Sequence, residues 1–168
     1  METTVTFTTF LMELFTGQNV ALLGAFLAAG LAGFGSAKGV SMAAQAAGGV
    51  LSEDPNMFGK VLLLEALPGS QGIYGLITAI LVMIKIGVLG GTPVDLTLGQ
   101  GGYILMASLP IAVVGYLSAI QQAKAAVAGI NMIAKQKDQV GKAITSTALV
   151  ETYAIFALLV SLLLVILF

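Results

Sequence analysis

The sequence predicts an all-α membrane protein whose four transmembrane helices form two tandem helical hairpins. Three observations support this fold class. Of the 168 residues, 58% are hydrophobic and only 9% are charged, whereas soluble domains carry about 25% charged residues. Four apolar stretches each exceed the ~20 residues that a helix needs to cross the hydrocarbon core of a bilayer. The second half of the chain also repeats the first half in a fixed register.

The composition excludes several classes of function. The chain contains seven lysines but no arginine, histidine, cysteine or tryptophan. Without histidine or cysteine it cannot build the usual zinc sites, a Ser-His-Asp or Cys-His pair, a haem ligand set or a disulfide framework. The net charge of -1 offers no basic surface for nucleic acid. The segment GFGSAKGVS satisfies neither common phosphate-binding motif. We therefore expect a chain that is not an enzyme by itself.

Residues 1–18 precede the first apolar stretch. This segment carries Glu2 and Glu13 and lacks the basic region with which a secretory signal begins. We expect it to belong to the mature protein and to form a short helix at the membrane interface.

The four apolar stretches cover residues 19–50, 58–89, 102–134 and 142–168. They are continuous, which favours helices over the alternating pattern of a membrane β-barrel. The segments between them, SEDPN, GGTPVDLTLGQGG and KQKDQVG, contain the polar residues, glycine or proline at which helices end. The predicted organisation is a first hairpin at residues 19–90, a linker at residues 91–101 and a second hairpin at residues 102–168.

The lysines predict the orientation in the membrane. Lys60, Lys135, Lys137 and Lys142 flank the first and third loops, whereas only Lys85 lies near the middle loop. Because cytoplasmic loops carry an excess of lysine and arginine, the first and third loops are predicted to face the cytoplasm. The linker and both termini are then non-cytoplasmic in a multi-pass protein of the cell membrane.

A shift of 82 residues, without gaps, aligns the two hairpins. It pairs Gly33 with Gly115 and Ser36 with Ser118, among many other identities. Because each copy contains two spans, both copies keep the same orientation, unlike the inverted repeats common in transporters. The duplication therefore predicts a parallel repeat of one helical hairpin.

Small residues recur in the first helix at a spacing of four, at Ala25, Ala29, Gly33 and Ala37, and then at Gly39, Ala43 and Ala47. The third helix repeats the pattern with Ala107, Gly115, Ala119 and Ala123. Such residues let helix backbones approach closely in lipid. Two arrangements fit this pattern. One is a single four-helix bundle, and the other is a ring in which the first and third helices of many copies crowd an inner circle.

Glu151 is an ionisable residue inside a predicted span. It lies nine residues beyond Lys142, which places it roughly 13 Å past the cytoplasmic end of its helix. An ionisable side chain near the bilayer middle is costly and is by default a functional residue. In the repeat register Gly69 occupies the equivalent position, so the chain has one such carboxylate for four helices.

Three polar side chains share the predicted depth of Glu151, namely Ser70, Gln71 and Gln122. Together with the Glu151 carboxylate and a backbone carbonyl, these side chains could form an oxygen cage. The cage would carry one negative charge and would suit a hard monovalent cation. Pro68 supports this interpretation because it lacks an N–H and distorts its helix where a free carbonyl would be wanted. The alternative is that these side chains only join helices by hydrogen bonds.

Two further charges lie within or beside the spans. Glu65 lies one turn before Gly69 and either lines an access path for the ion or interacts with the headgroup region through Lys60. Lys38 either faces a polar or lipid-filled pore or extends along its helix towards an interface.

The segments GFGSAKG, LPGSQGIYG, ASLPIA, AVAGI and LVETYAI follow in this order on the duplicated hairpin. In this, the chain resembles the membrane rotor proteolipids of bacterial V-type ATPases, over nearly all of its length after about residue 20. The resemblance implies a closed homo-oligomeric ring of identical copies, surrounded by lipid. It also implies a stationary membrane subunit that bears an arginine, a central-stalk subunit seated on the cytoplasmic loops, and rotation driven by ATP hydrolysis in a peripheral complex.

The resemblance further implies the members of an ion-binding site. The ligands of Na⁺ would be the backbone carbonyl of Leu67, the hydroxyl of Ser70, the side-chain oxygens of Gln71 and Gln122, and the carboxylate of Glu151; Tyr74 would hydrogen-bond Glu151 and lock the occupied site. Sodium-pumping members typically have threonine where this chain has Ser70. Two alternatives stay open: the same rotor role with H⁺ as the ion, or a stand-alone tetraspan transporter or structural membrane protein.

Overall fold

The computed structural model describes residues 6–168, and residues 1–5, with Glu2, lie outside the described part. Within it the chain forms six α-helices: α1 (Phe7–Leu14), α2 (Gly17–Glu53), α3 (Phe58–Ala66), α4 (Ser70–Lys85), α5 (Leu98–Lys135) and α6 (Val140–Ile166). Short 3₁₀ turns at Pro55–Met57, Leu67–Gly69 and Lys137–Gln139 precede α3, α4 and α6.

Four helical segments are long and apolar enough to cross a membrane: Gly17–Glu53, Pro55–Lys85, Leu98–Lys135 and Lys137–Ile166. The second of them consists of α3 and α4 joined by a 3₁₀ turn. The structure therefore confirms the predicted all-α class and the four spans.

Two of the long helices begin earlier than the hydropathy pattern indicates. The helix α2 starts at Gly17 because the side chain of Thr16 accepts a hydrogen bond from the Asn19 amide at 3.2 Å. The helix α5 starts at Leu98, inside the predicted linker, because Thr97 and Gln100 form a capping box. Polar capping residues are part of a helix start but lie outside an apolar stretch, so hydropathy alone places the start too late.

The interruption predicted at Pro68 is present. The chain from Leu67 to Gly69 forms a 3₁₀ turn between α3 and α4, because proline cannot donate a backbone hydrogen bond within a helix. Just beyond the turn, the Gly72 amide donates to the Ser36 hydroxyl of α2 at 2.7 Å. The turn thus holds the start of α4 against α2.

The helices α2 and α5 pack against each other along their length, with α4 against α2 and α6 against α5. A Cβ added to Gly35 would lie 2.6 Å from the Cα of Tyr116, so the two backbones meet where only glycine fits. Of the predicted small residues, Ala25, Gly39, Ala43 and Ala47 are buried within the chain, whereas Ala37 lies on its surface. A strict four-residue spacing drifts by about 40° per step around a helix of 3.6 residues per turn. The buried stripe instead alternates three- and four-residue steps, through Ala25, Ala28, Ala32, Gly35 and Gly39.

The first and third loops lie at one end of the helices and are tied together. The Lys137 ammonium forms an ion pair with Asp54 at 2.5 Å, and the Lys60 ammonium donates to the Lys137 carbonyl at 3.0 Å. The hydrogen bond from Lys137, followed by one from the Asn56 amide, holds the pKa of Asp54 below its usual 3.8. Asp54 is therefore ionised at neutral pH, and the ion pair joins the two loops.

Candidate ion-binding site

Two glutamines occupy the centre of the candidate site. Gln71 belongs to the first turn of α4 and Gln122 to the middle of α5, and both side chains are 0% exposed. The Gln71 amide nitrogen donates to Gln122 Oε1 at 2.5 Å. Buried amides require such partners, because a polar group that is buried without a hydrogen bond loses its hydration and destabilises the fold. This bond joins α4 to α5 inside the membrane-spanning region.

The Gln122 amide nitrogen continues the network to α6. It donates to the backbone carbonyl of Thr147 at 3.3 Å. The Thr147 hydroxyl donates back to Ala143 within its own helix at 2.8 Å. Sequence reasoning missed Thr147, because it contributes a backbone oxygen and the identity of its side chain gives no signal. Through Gln122, three helices meet at one point.

The 3₁₀ turn supplies two more oxygens. The Ser70 hydroxyl donates to the Leu67 carbonyl at 3.0 Å and lies 3.4 Å from Gln71 Oε1. The turn brings Ser70 back over Leu67, because its hydrogen bonds close after three residues instead of four. The helix interruption therefore gathers a carbonyl, a hydroxyl and an amide oxygen in one place.

Glu151 lies on α6 and is half-buried. Its carboxylate accepts a hydrogen bond from the Tyr74 hydroxyl of α4. In residues 6–168 no lysine forms an ion pair with it, and no three acidic side chains gather in a group. The carboxylate is held by a neutral donor, so its charge is available to a cation.

The structure thus brings the predicted residues together in two adjacent groups. Leu67, Ser70, Gln71 and Gln122 form one hydrogen-bonded group. Tyr74 and Glu151 form the other. Tyr74 lies one turn after Ser70 on α4, so the two groups are neighbours along that helix. Among the described residues no direct hydrogen bond joins Glu151 to either glutamine.

The other two intramembrane charges stand apart from this site. The Lys60 ammonium binds the Lys137 carbonyl, and among the described residues it forms no ion pair with Glu65. Both roles considered for Glu65, along an access path for the ion or in the headgroup region, stay predictions. Lys38 is exposed on α2.

A comparison with protein families shows that the chain matches one of them in both hairpins. The family described as the C subunit of ATP synthase matches the chain twice, at residues 23–82 and 105–164. The chain belongs to the ATP synthase C-subunit family. The two matches are offset by 82 residues, the shift that aligns the hairpins. The family relationship thus confirms the duplication, and its two copies contain both groups of site residues.

Two relatives are similar to this C-subunit family member over most of its length. The V-type sodium ATPase subunit K of Enterococcus hirae is 42% identical over 159 residues, which cover 92% of this chain and 98% of that protein. The A-type ATP synthase subunit K of Methanocaldococcus jannaschii is 37% identical over 144 residues, which cover 86% of this chain and 60% of that protein. The similarity confirms the resemblance to the V-type rotor proteolipids. The first relative is a proteolipid of this kind and is named subunit K.

Proposed function

We propose that the chain is the rotor-ring subunit of a rotary V-type ATPase and carries Na⁺ across the membrane by reversible binding to Glu151. The observation that carries the proposal is an intramembrane carboxylate that has no lysine partner among residues 6–168. It lies next to buried oxygens from three helices, in a member of the ATP synthase C-subunit family. Rotation of the ring is driven by ATP hydrolysis in a peripheral complex, and this chain itself is non-catalytic.

The donor set favours Na⁺ over H⁺. The ligands are the Leu67 carbonyl, the Ser70 hydroxyl, the amide oxygens of Gln71 and Gln122, and the Glu151 carboxylate. Oxygen donors suit hard cations, and one negative charge balances a monovalent ion. A proton would need only the carboxylate and would leave the buried amides without a transport role. The relative from Enterococcus hirae belongs to a sodium ATPase by its name, which supports the same ion here.

Charge neutralisation links ion binding to rotation. An ionised carboxylate facing lipid is expensive, whereas Glu151 with a bound cation carries no net charge. Each copy takes up an ion from one access channel in a stationary membrane subunit, turns through lipid, and releases it into a second channel. An arginine on that subunit displaces the ion. One site per four spans lowers the number of ions moved per turn, which favours pumping against a steep gradient.

The surfaces of the chain fit a ring of identical copies in lipid. The outer faces of α4 and α6 expose large apolar side chains, among them Ile73, Leu76, Phe156, Leu159 and Leu163. These faces contact lipid or the next copy. In each copy α2 and α5, which carry the small residues, lie on the inner circle.

The loops fix the orientation in this proposal. The first and third loops, joined by Asp54 and Lys137, face the cytoplasm and receive the central stalk. The hairpins at residues 19–90 and 102–168 are then connected by the non-cytoplasmic linker, residues 91–101, and both termini are non-cytoplasmic. Within residues 1–18, α1 buries no side chain and exposes Phe7 and Phe10, as suits a helix at the membrane interface.

Carbodiimide labelling tests the choice of ion. Dicyclohexylcarbodiimide reacts with a protonated carboxyl group in an apolar environment. A cation bound to Glu151 therefore blocks the reaction. We expect Na⁺ at neutral pH to slow the labelling of Glu151, measured by peptide mass spectrometry. N-methylglucamine chloride at the same ionic strength is expected to have no effect. Labelling that Na⁺ does not slow would contradict the sodium assignment and favour H⁺.

A further inference from the structure

The hydroxyl of Ser118 on α5 is buried and, within residues 6–168, is the one buried side-chain polar atom without a hydrogen-bond partner. The residue is only 7% exposed. Other buried hydroxyls have partners: Ser108 donates to the Ile104 carbonyl of its own helix at 2.9 Å, and Ser36 and Ser161 accept backbone amides of neighbouring helices. A buried polar group without a partner is costly, and in native proteins such groups often serve a functional site.

The helix register places Ser118 at the level of residues 151–154 of α6, the turn that carries Glu151. Gln122 of α5 contacts Thr147 of α6, and the two helices are antiparallel neighbours. Moving one turn away from the loop end leads to Ser118 on α5 and to Glu151 on α6. Further along, the Ile111 amide donates to the Ser161 hydroxyl at 3.2 Å, so the two helices stay in contact on both sides of this level.

The repeat explains why this hydroxyl is available. Its counterpart in the first hairpin, Ser36, accepts the Gly72 amide at 2.7 Å beside the Pro68 turn. A shift of 82 residues takes Gly72 to Ala154, which lies within the uninterrupted helix α6. The Ala154 amide is bonded inside that helix and needs no external acceptor. Ser118 therefore has the position of Ser36 without its backbone partner.

We propose that the Ser118 hydroxyl donates a hydrogen bond to the Glu151 carboxylate, directly or through one water, and so positions it for the cation. Tyr74 of α4 donates to the same carboxylate, so donors on two different helices fix its orientation and leave its remaining lone pairs to the ion. Ser118 is a positioning residue in this role. The inference rests on the proposed ion-carrier function and adds a residue to its site.

The test compares Na⁺ protection of Glu151 from carbodiimide in the assembled particle. Ser118→Ala is expected to raise the half-protecting Na⁺ concentration about three- to tenfold, the effect of one hydrogen bond. Ser118→Thr keeps the hydroxyl and is expected to restore protection to near the wild-type level. Ser108→Ala is the matched control, because it removes another buried hydroxyl from the same helix, and it is expected to leave protection unchanged.

Unchanged protection in Ser118→Ala, or no recovery in Ser118→Thr, would overturn the inference while the ion-carrier function stood. Wild-type labelling that Na⁺ does not slow would instead overturn the sodium assignment. If Na⁺ does not slow the labelling, a density map of the wild-type particle still tests the inference about Ser118. We expect Ser118 Oγ to reach a Glu151 oxygen or a water bound to it, and a hydroxyl bonded only to the Val114 carbonyl would refute the link.

Discussion

Glu151→Gln is expected to abolish ion transport and carbodiimide labelling while the particle remains assembled. Glutamine keeps the size of the side chain and can still accept the hydrogen bond from Tyr74, so the packing of α4 against α6 is preserved. It removes the one negative charge that balances the cation. The measurement combines ATP-driven ²²Na⁺ uptake into vesicles with the mass of the detergent-solubilised particle.

Glu65→Gln is the matched control for this substitution. Glu65 is also a half-buried glutamate within a span, but it does not belong to the hydrogen-bonded groups of the site, and transport is expected to persist. Transport retained in Glu151→Gln would contradict the rotor mechanism. A particle the size of a single chain, in place of a ring, would favour a stand-alone tetraspan transporter or a structural membrane protein.

Gln122→Leu is expected to have the second largest effect, on both ion affinity and stability. It removes one oxygen ligand, and it leaves the Gln71 amide nitrogen buried without its acceptor, whereas the Thr147 carbonyl keeps its backbone bond within α6. Each buried group left unpaired costs about 1–3 kcal/mol. With the lost ligand, we expect the half-protecting Na⁺ concentration to rise by about two orders of magnitude, since every 1.4 kcal/mol corresponds to about tenfold.

The adjacent Gln121 provides the control. It is exposed on the same helix, and its side-chain oxygen accepts a hydrogen bond from the nearby Lys124 ammonium at 3.3 Å. Gln121→Leu makes the same chemical change and is expected to leave Na⁺ protection and thermal stability close to wild type. Equal effects of the two substitutions would show that Gln122 acts through general packing and not as a ligand.

Much of the fold could be predicted from the sequence, because a helix that spans a bilayer needs about 20 consecutive, mostly apolar residues. The long apolar stretches gave the four spans, and Pro68 gave the position of the helix interruption. The rotation of each helix was harder to predict. The spacing of Ala25, Ala29, Gly33 and Ala37 indicated one stripe, whereas the contact within the chain follows the 3.6-residue period and leaves Ala37 on the surface of the single chain.

The candidate site divides in the same way. Depth along the chain selected Ser70, Gln71, Gln122 and Glu151 as candidates at one level, and the structure joins the first three by hydrogen bonds. Leu67 and Tyr74 came only from the resemblance to V-type rotor proteolipids, because a backbone carbonyl and a single tyrosine have no distinctive spacing.

Other contacts could not be predicted from residue types. Three such contacts depend on helix rotation and on backbone atoms. They are the bond from Gln122 to the Thr147 carbonyl, the bond from the Gly72 amide to Ser36, and the bond from Lys60 to the Lys137 carbonyl. The unpartnered hydroxyl of Ser118 is likewise a property of packing. A sequence pattern records which side chains are present, whereas these contacts depend on which backbone groups the packed helices leave free.

The proposed binding of Na⁺ by Glu151 and the neighbouring oxygens is tested most directly by a high-resolution density map of the assembled particle in saturating Na⁺. We expect a density peak between Glu151 and Gln122, coordinated also by Leu67, Ser70 and Gln71. The peak is expected to be absent when Na⁺ is replaced by N-methylglucamine. A map in which no such peak appears at saturating Na⁺, with the two glutamines still bonded to each other, would contradict the proposed binding.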